Sequence, residues 1–546
     1  MSKTNDLGVA PKNQKEGFCF MKKTVKKLAA VGLTLTSVMS LVACGNSNTS
    51  KGGSSSSKEV TKPTSFKVMV DGTVATESNG GAEFRKQLEE ATDLVGCIEW
   101  VQPDHSGYYE QVSIAFNSES SMPDLVILSS DYYAQYAANG FLWDMTDAWN
   151  ASETKNSGRL IDTAQNVYDS LMVNGEDGNK AMYAFTATRG NGCVTYVKSS
   201  WAEAAGYNPS DLETKQMTWN EYYAMLKKMA EVKGHYVLSS PGFVSNEAPY
   251  TNYLPEFFQK AEYSFYKDST GKYVDGFTEK NMEEALTRIQ TAVKDGVLDK
   301  ESVNNSTSDS RNKWKSTDAS VETGVFTYWA GTWMNTLKSY LSSAKLDDRM
   351  VELKPIQELG TYVERLSPVW AITTHAENPE GIFKYFIDKM LDGGDVQTLW
   401  TYGAKGTHWD TKAESVTLQG KEDKITEYKE GTFHFLPSPE KPTSLMSKNH
   451  IDPLLSLAKF EGEDPGAAAT VAVSKASMDF FAANSHVVSP VDVNETYTEN
   501  IGDINEKRKA IVASVAVGDM TAAEGIAKYQ KEVGAQVDAV LKSLNK

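Results

Sequence analysis

From about Thr64 onward, short apolar runs alternate with amphipathic stretches. Phe66, Val68 and Val70 recur at every second position, the spacing of a strand with one face inward. In Gly81–Ala91, Phe84 and Leu88 fall on one helical face. Cys97-Ile98-Glu99-Trp100-Val101 reads as a second strand. Pro123-Asp124-Leu125-Val126-Ile127-Leu128 is apolar on both faces and reads as a buried one. Alternation of this kind predicts an α/β fold with a largely parallel sheet.

Several helices announce their ends. Thr218-Trp219-Asn220-Glu221 has the spacing of a capping box, ahead of an apolar face at Tyr222, Leu226 and Met229 and a stop at Gly234. Thr278-Glu279 opens a stripe at Met282, Ala285, Leu286, Ile289 and Val293, followed by Gly296. Asn378-Pro379-Glu380 sets a cap, an N1 proline and an early carboxylate ahead of Ile382, Phe383, Phe386, Ile387 and Met390. Thr521–Leu544 reads as one long helix. Trp143 and Trp219 are expected in the core. No repeat of 20–50 residues is visible.

The first 63 residues break this rhythm. Met21-Lys22-Lys23-Thr24-Val25-Lys26-Lys27 is a basic stretch, and Leu28–Val42 is a 15-residue apolar run. A span needs about 20 residues, so the run suits a secretory signal better than a membrane helix. It ends in Leu41-Val42-Ala43-Cys44-Gly45, which resembles the bacterial lipobox, in which the cysteine is acylated on sulfur and becomes the first residue after cleavage. Residues 1–20 fit no part of a signal peptide, so the expected start is Met21, with 21–43 the signal and Cys44 the lipidated residue. Residues 44–63, rich in Ser, Gly, Asn, Thr and Lys, read as a flexible tether.

Composition narrows the function. The 546 residues carry 55 Lys and Arg against 72 Asp and Glu, a net charge of −17. Residues 1–43 hold seven lysines and two acids, so the remainder is more acidic still. With no basic surplus to neutralise phosphates, a nucleic-acid partner is not expected. Four cysteines exclude a disulfide scaffold. Whether Cys97 and Cys193 pair is left open by the sequence. The chain has no phosphate loop, GxGxxG, GxSxG, HExxH or DxDxDG, and the histidines and cysteines lack the close spacings of a zinc site. No cofactor, metal or catalytic residue is implied, and an enzyme is not expected.

Aromatic residues collect after the strands. Tyr132 follows Leu128 by way of Ser129-Ser130-Asp131. Trp329 and Trp333 flank Gly331 beyond the strand 324–327. Trp370 lies in Ser367–Ile372. Ligands of open α/β sheets bind beyond the carboxyl ends of strands. Tyr and Trp there offer flat apolar area with a polar edge, which suits the C–H patches and hydroxyls of a sugar ring.

The order of segments from Phe66 to the C-terminus resembles the family 1 extracellular solute-binding proteins of ABC importers. Met122–Val126, Asn139–Thr146, Lys180–Phe185, Thr195–Lys198 with Ala205–Tyr207, Thr218–Tyr222 and Lys294–Asp299 are each similar to a family segment. Gly331-Thr332-Trp333 lies where sugar-binding relatives carry G-P-W, with the Trp kept and the Pro not. Tyr402–Trp409 is similar to the Y-G-I-E-G-x-H-Y of a lipoprotein subgroup, with Lys405 in place of the Glu. The resemblance implies a two-lobed, hinged Venus-flytrap fold with interleaved lobes: 64–190 plus 357–410, and 191–356 plus 411–546. It implies a monomer on the outer face of the cytoplasmic membrane, held only by its lipid, that captures a carbohydrate and delivers it to the transmembrane subunits of a permease. Asp131, Tyr132, Arg189, Asn191, Trp329, Trp333 and Trp370 are the expected ligand contacts. A polyamine or other non-sugar solute, or a surface glycoside hydrolase, remains the alternative.

Overall fold

The structure is a computed structural model that describes residues 59–71, 80–104, 107–241, 253–346, 348–417, 425–436, 451–467, 472–488 and 490–546. The expected signal, Cys44 and most of the tether lie outside these residues, as does the side chain of Asp131.

The first strands form as their patterns predict. β1 (Phe66–Met69) lies between β2 (Ile98–Val101) and β3 (Leu125–Leu128), parallel to both, with Phe66 opposite Ile98 and Val68 opposite Leu125. The connections run through α1 (Gly81–Ala91), which buries Phe84 and Leu88, and α2 (Tyr108–Ala115). α3 (Ser130–Ala138) follows β3 directly.

The second sheet departs from expectation. β4 (Cys193–Lys198) is its centre, with β5 (Val325–Trp329) and β6 (Met350–Glu352) on its two sides, both antiparallel to it. A largely parallel sheet therefore describes only the first lobe, because β4 leaves the interlobe crossing in the direction opposite to β5. Around this sheet pack α4 (Trp219–Lys233), α5 (Lys280–Lys294), α6 (Thr307–Trp314) and α7 (Thr332–Ser343). The capping box joins Thr218 and Glu221 as the spacing predicts, and Gly234 closes α4. Trp143 and Trp219 are only half-buried, each packed against the core of its lobe.

The chain then returns. β7 (Val369–Ile372) adds to the first sheet antiparallel to β3, Trp370 opposite Ile127. The expected helix after Asn378 is broken into a short α turn at Pro379–Ile382, a π segment at Phe383–Ile387 and a 3₁₀ turn at Asp388–Leu391. Later come α8 (Ala472–Ala483), α9 (Glu495–Val517) and α10 (Ala522–Leu544). The sequence reading did not separate α9 from its surroundings.

One apolar core gathers Phe66–Ala187 with Leu366–Ala404, and the others gather residues from Cys193 to Tyr362 with helices α8–α10. The cores cut across the sequence-drawn division at Tyr362, near 433–435, near 451–458 and at Val493. Tyr362 packs in a second-lobe core, while Ile451, Leu457 and Ala458 pack in the first-lobe core. The chain thus makes a further crossing near 455–458, where Leu457 N–H donates to Ala187 O and Arg189 N–H donates to Leu455 O.

Candidate functional site

The segments that cross between the lobes are close-packed. Arg365 N–H donates to Asn191 O at 3.1 Å. A Cβ on Gly190 would lie 1.4 Å from Arg365 O, so only glycine permits this approach. Thr186 and Ser367 share a hydroxyl hydrogen bond of 2.6 Å, and Ser367 also donates to Thr188 O.

Arg189 lies in this hinge and pairs with Glu364. Its Nε donates to Glu364 Oε1 at 2.9 Å and its Nη2 to Glu364 Oε2, with the two side chains 11% and 1% exposed. A bidentate pair this buried commits two of the five guanidinium donors to holding two crossings together. The expected contact Arg189 is thus placed in a buried ion pair between two crossings.

Trp370, another expected contact, is packed inside the first lobe. It is 3% exposed and meets Phe386 at 5.6 Å and Trp400 at 5.5 Å between ring centroids, both edge to face. Its position in β7 aims the indole into the first-lobe core, where it has no face left for a ligand.

The remaining candidates stand where strands end. Tyr132, in the first turn of α3, is half-buried, and its ring stacks on Tyr109 at 5.2 Å with an interplanar angle of 8°. Tyr109 opens α2 just after β2, and its neighbour Tyr108 anchors that helix by donating to Ile127 O. In the second lobe, Trp329 ends β5 with the Arg365 guanidinium 4.5 Å from its ring. Trp333, half-buried in the first turn of α7, meets Tyr328 edge-on at 4.9 Å and lies 5.3 Å from the Arg311 guanidinium. Tyr253 stacks on the other side of this group, 6.3 Å from Tyr328. Asn191 links hinge and site: its Oδ1 accepts from Gly192 N–H, and its Nδ2 donates to Ala330 O at 3.3 Å.

A buried relay supports the turn that carries Trp333. Gly331 has φ +69°, a conformation that favours glycine. Its N–H donates to Ser477 Oγ at 2.8 Å, and Ser477 Oγ donates to Glu352 on β6. Burial pushes the Glu352 carboxyl up to about 7, against the opposing pull of the Ser477 hydrogen bond. On the other side of β4, burial likewise raises Glu256 to about 7, although Thr195 and Tyr362 donate to it.

Sequence reasoning missed Tyr109, Arg311, Arg365 and the Glu352–Ser477 relay. Tyr109 carried the same signal as Tyr132, an aromatic residue just past a strand. The others come together only through the register of distant segments. Tyr402–Trp409 forms a tight structural turn, with His408 Nδ1 accepting from Ala404 N–H and Trp409 Nε1 donating to Gly403 O. Cys97 and Cys193 are not joined in a disulfide and stand at the starts of strands in different lobes. A surface groove lined by Lys272–Asp275 and by Tyr529–Lys546 of α10 and the C-terminus shares no residue with the strand-end group.

Solved structures place the fold. The chain has the two-lobed α/β architecture of periplasmic solute-binding proteins. A milk-oligosaccharide-binding, ABC-transporter-associated solute-binding protein from Bifidobacterium longum infantis matches with a TM-score of 0.59 and 15% identity, over 89% of this chain and 98% of that one. Maltose-bound MalE3 of T. maritima matches with a TM-score of 0.52 and 16% identity, over 86% and 99%. A family 1 extracellular solute-binding protein from Alicyclobacillus acidocaldarius matches with a TM-score of 0.51 and 14% identity, over 90% and 100%. No family model and no curated protein matches the sequence.

Proposed function

We propose that the chain is the extracellular substrate-binding lipoprotein of an ABC importer, taking an oligosaccharide in the cleft between its lobes and presenting it to the transmembrane permease. The observation that carries this reading is the placement of half-exposed aromatic residues, Tyr109 with Tyr132 and Trp329 with Trp333, at strand ends in two lobes joined by a multiply crossed hinge. The fold-mates that bind a milk oligosaccharide and maltose support the ligand class. A sugar that touches both lobes favours the closed arrangement by differential contact, and closure is what a permease can read. Moving such an equilibrium from 1:99 to 99:1 requires about 5.5 kcal/mol of preference for the closed form.

On this reading Asn191 and Asp131 supply hydrogen bonds to sugar hydroxyls, and the protein acts as a monomer without catalysis. Acylated Cys44 and the 44–63 tether hold it at the outer face of the cytoplasmic membrane; no described helix is long and apolar enough to cross one. A thermal-shift screen against oligosaccharides, monosaccharides and polyamines tests the reading. A ligand at a hundredfold its Kd adds about 2.7 kcal/mol. Stabilisation by oligosaccharides, with the sugar recovered intact, is the expected result. A response to polyamines alone, or cleavage of the sugar, overturns it.

A further inference from the structure

The turn between β5 and α7 carries both half-buried tryptophans, and its backbone is tied at each step. Trp329 O accepts from the Tyr196 hydroxyl at 2.7 Å, and Ala330 N–H donates to Gly192 O at 3.0 Å. Ala330 O accepts from Asn191 Nδ2 at 3.3 Å, and Gly331 N–H donates to Ser477 Oγ at 2.8 Å. The first three ties come from β4 and the residues that lead into it. The fourth comes from α8, 146 residues further along the chain. Glycine reaches both signs of φ with ease, so the φ of +69° at Gly331 is selected by its surroundings rather than by the residue. Those surroundings are α8: a Cβ on Gly331 would lie 3.0 Å from Met478 Sδ, next to the Ser477 bond. A serine hydroxyl has one proton, and that of Ser477 goes to Glu352 on β6. Its lone pairs are thereby left to face Gly331 N–H, so Glu352 orients the hydroxyl and the hydroxyl orients the turn. Ser477 is 1% exposed and Glu352 7%, so both act from beneath the turn. A buried hydroxyl–carboxyl pair adds little stability over apolar side chains of the same shape; when satisfied, it supplies a single conformation.

We propose that Ser477 and Glu352 are positioning residues for the bound sugar: neither touches it, and together they hold the 329–333 turn so that the Trp333 indole stands in its stacking position before the sugar arrives. This rests on the oligosaccharide reading above and deepens it. Trp333 lies in the first turn of α7, two residues after Gly331, so the conformation of Gly331 sets where the indole projects. The ring is then braced by the Tyr328 edge at 4.9 Å. An aromatic side chain ordered in advance loses less freedom on binding, which is worth severalfold in affinity. The arrangement also gives α8 a part in the site, although none of its residues carries a sequence signal for one. It reaches the back of the turn only because the chain crosses between the lobes again near 455–458.

The test is calorimetric titration of the full chain with maltotriose, cellotriose and mannotriose, the tightest of which is carried through a double-mutant cycle. Ser477→Ala should weaken it about threefold to tenfold. Ser477→Thr, which keeps the hydroxyl, should recover most of the loss. In a Trp333→Ala background, Ser477→Ala should cost almost nothing further, because no indole is left to position. A merely structural role for Ser477 would act alike in both backgrounds and leave the two losses additive. Melting midpoints without sugar are recorded for every variant, and titrations run well below the lowest. Should Ser477→Ala melt early, Glu352→Leu is the second variant: it replaces a buried carboxyl by an apolar side chain and frees the Ser477 hydroxyl to turn. The same loss, again absent without Trp333, is expected. Unchanged affinity in the variant tested, or losses that add in the cycle, overturns this inference and leaves the oligosaccharide reading standing. Absence of binding by all three sugars, together with no response to any oligosaccharide in the thermal screen, overturns both.

Discussion

In the first lobe the sheet is closed by aromatic packing: Phe84, Trp370 and Phe386 meet Trp400 at 5.2–5.8 Å, all edge to face. In the second lobe the corresponding space around the sheet is threaded with ionisable groups. Glu256 bonds to Thr195, which shares a 2.8 Å hydrogen bond with Thr327, and Glu352 bonds to Ser477 on the next element. Beyond them Arg508, fully buried, pairs with Asp275 at 2.7 Å and lies 4.9 Å from the Phe265 ring, while Tyr529 donates to the other Asp275 oxygen at 3.0 Å. An aromatic core is indifferent to pH. A core with buried carboxyls is stable only in the protonation states it was folded around. The pH-sensitive carboxyls around the second sheet are therefore Glu256 and Glu352, while among the first-lobe segments burial raises Asp452 to about 6.

The largest effect that would separate the lobes comes from breaking the buried pair. Arg508→Ala removes the cation paired with buried Asp275 and should cost about 3–5 kcal/mol, read as a lower denaturant midpoint. Arg508→Met/Asp275→Leu should recover most of that loss, and equal destabilisation by both would show that packing, not charge, governs the site. Trp370→Ala should also cost about 3–5 kcal/mol of stability through the cavity it opens. Its effect on sugar affinity at a temperature where the variant is folded should be negligible, and a specific loss of affinity would return Trp370 to the site.

A pH series gives the next largest effect. Glu352 and Glu256 have folded values raised by burial to about 7 from an ordinary value of 4.5. Between those limits the folded state binds protons that the unfolded state releases. Stability from each is thus fully present below pH 4.5 and is lost as pH rises to about 7, by roughly 3 kcal/mol per group. Glu352→Gln should flatten part of this slope in unfolding curves measured from pH 5 to 8, and an unaltered slope would remove Glu352 from the account. Smallest is Trp333→Ala, which should weaken an oligosaccharide by about 1–3 kcal/mol. Unchanged affinity in a titration would take Trp333 out of the site.

Legibility in the sequence follows the same division. β1, β2, β3, α1 and α4 were readable because their signals are local: periodicity at Phe66, Val68 and Val70, a stripe at Phe84 and Leu88, and a cap at Thr218 answered by Glu221. The antiparallel second sheet was not, since strand direction depends on how the chain re-enters from the hinge. Among the candidate residues, Tyr132, Trp329 and Trp333 lie at the strand ends where their positions in the sequence put them. Trp370 instead lies inside β7, opposite Ile127, and its ring packs against Phe386 and Trp400. Arg189 looked like an exposed turn residue, and only the return of Glu364 beside it, 175 residues later, shows that it is a hinge staple.

Closure on a sugar is the central claim, and a distance between spin labels placed on exposed positions of α1 and α4, one in each lobe, tests it most directly. Saturation with an oligosaccharide identified in the thermal screen should shift the distance distribution to shorter values, and Trp333→Ala should require more sugar for the same shift. A distribution that stays the same while the sugar is bound would contradict the account.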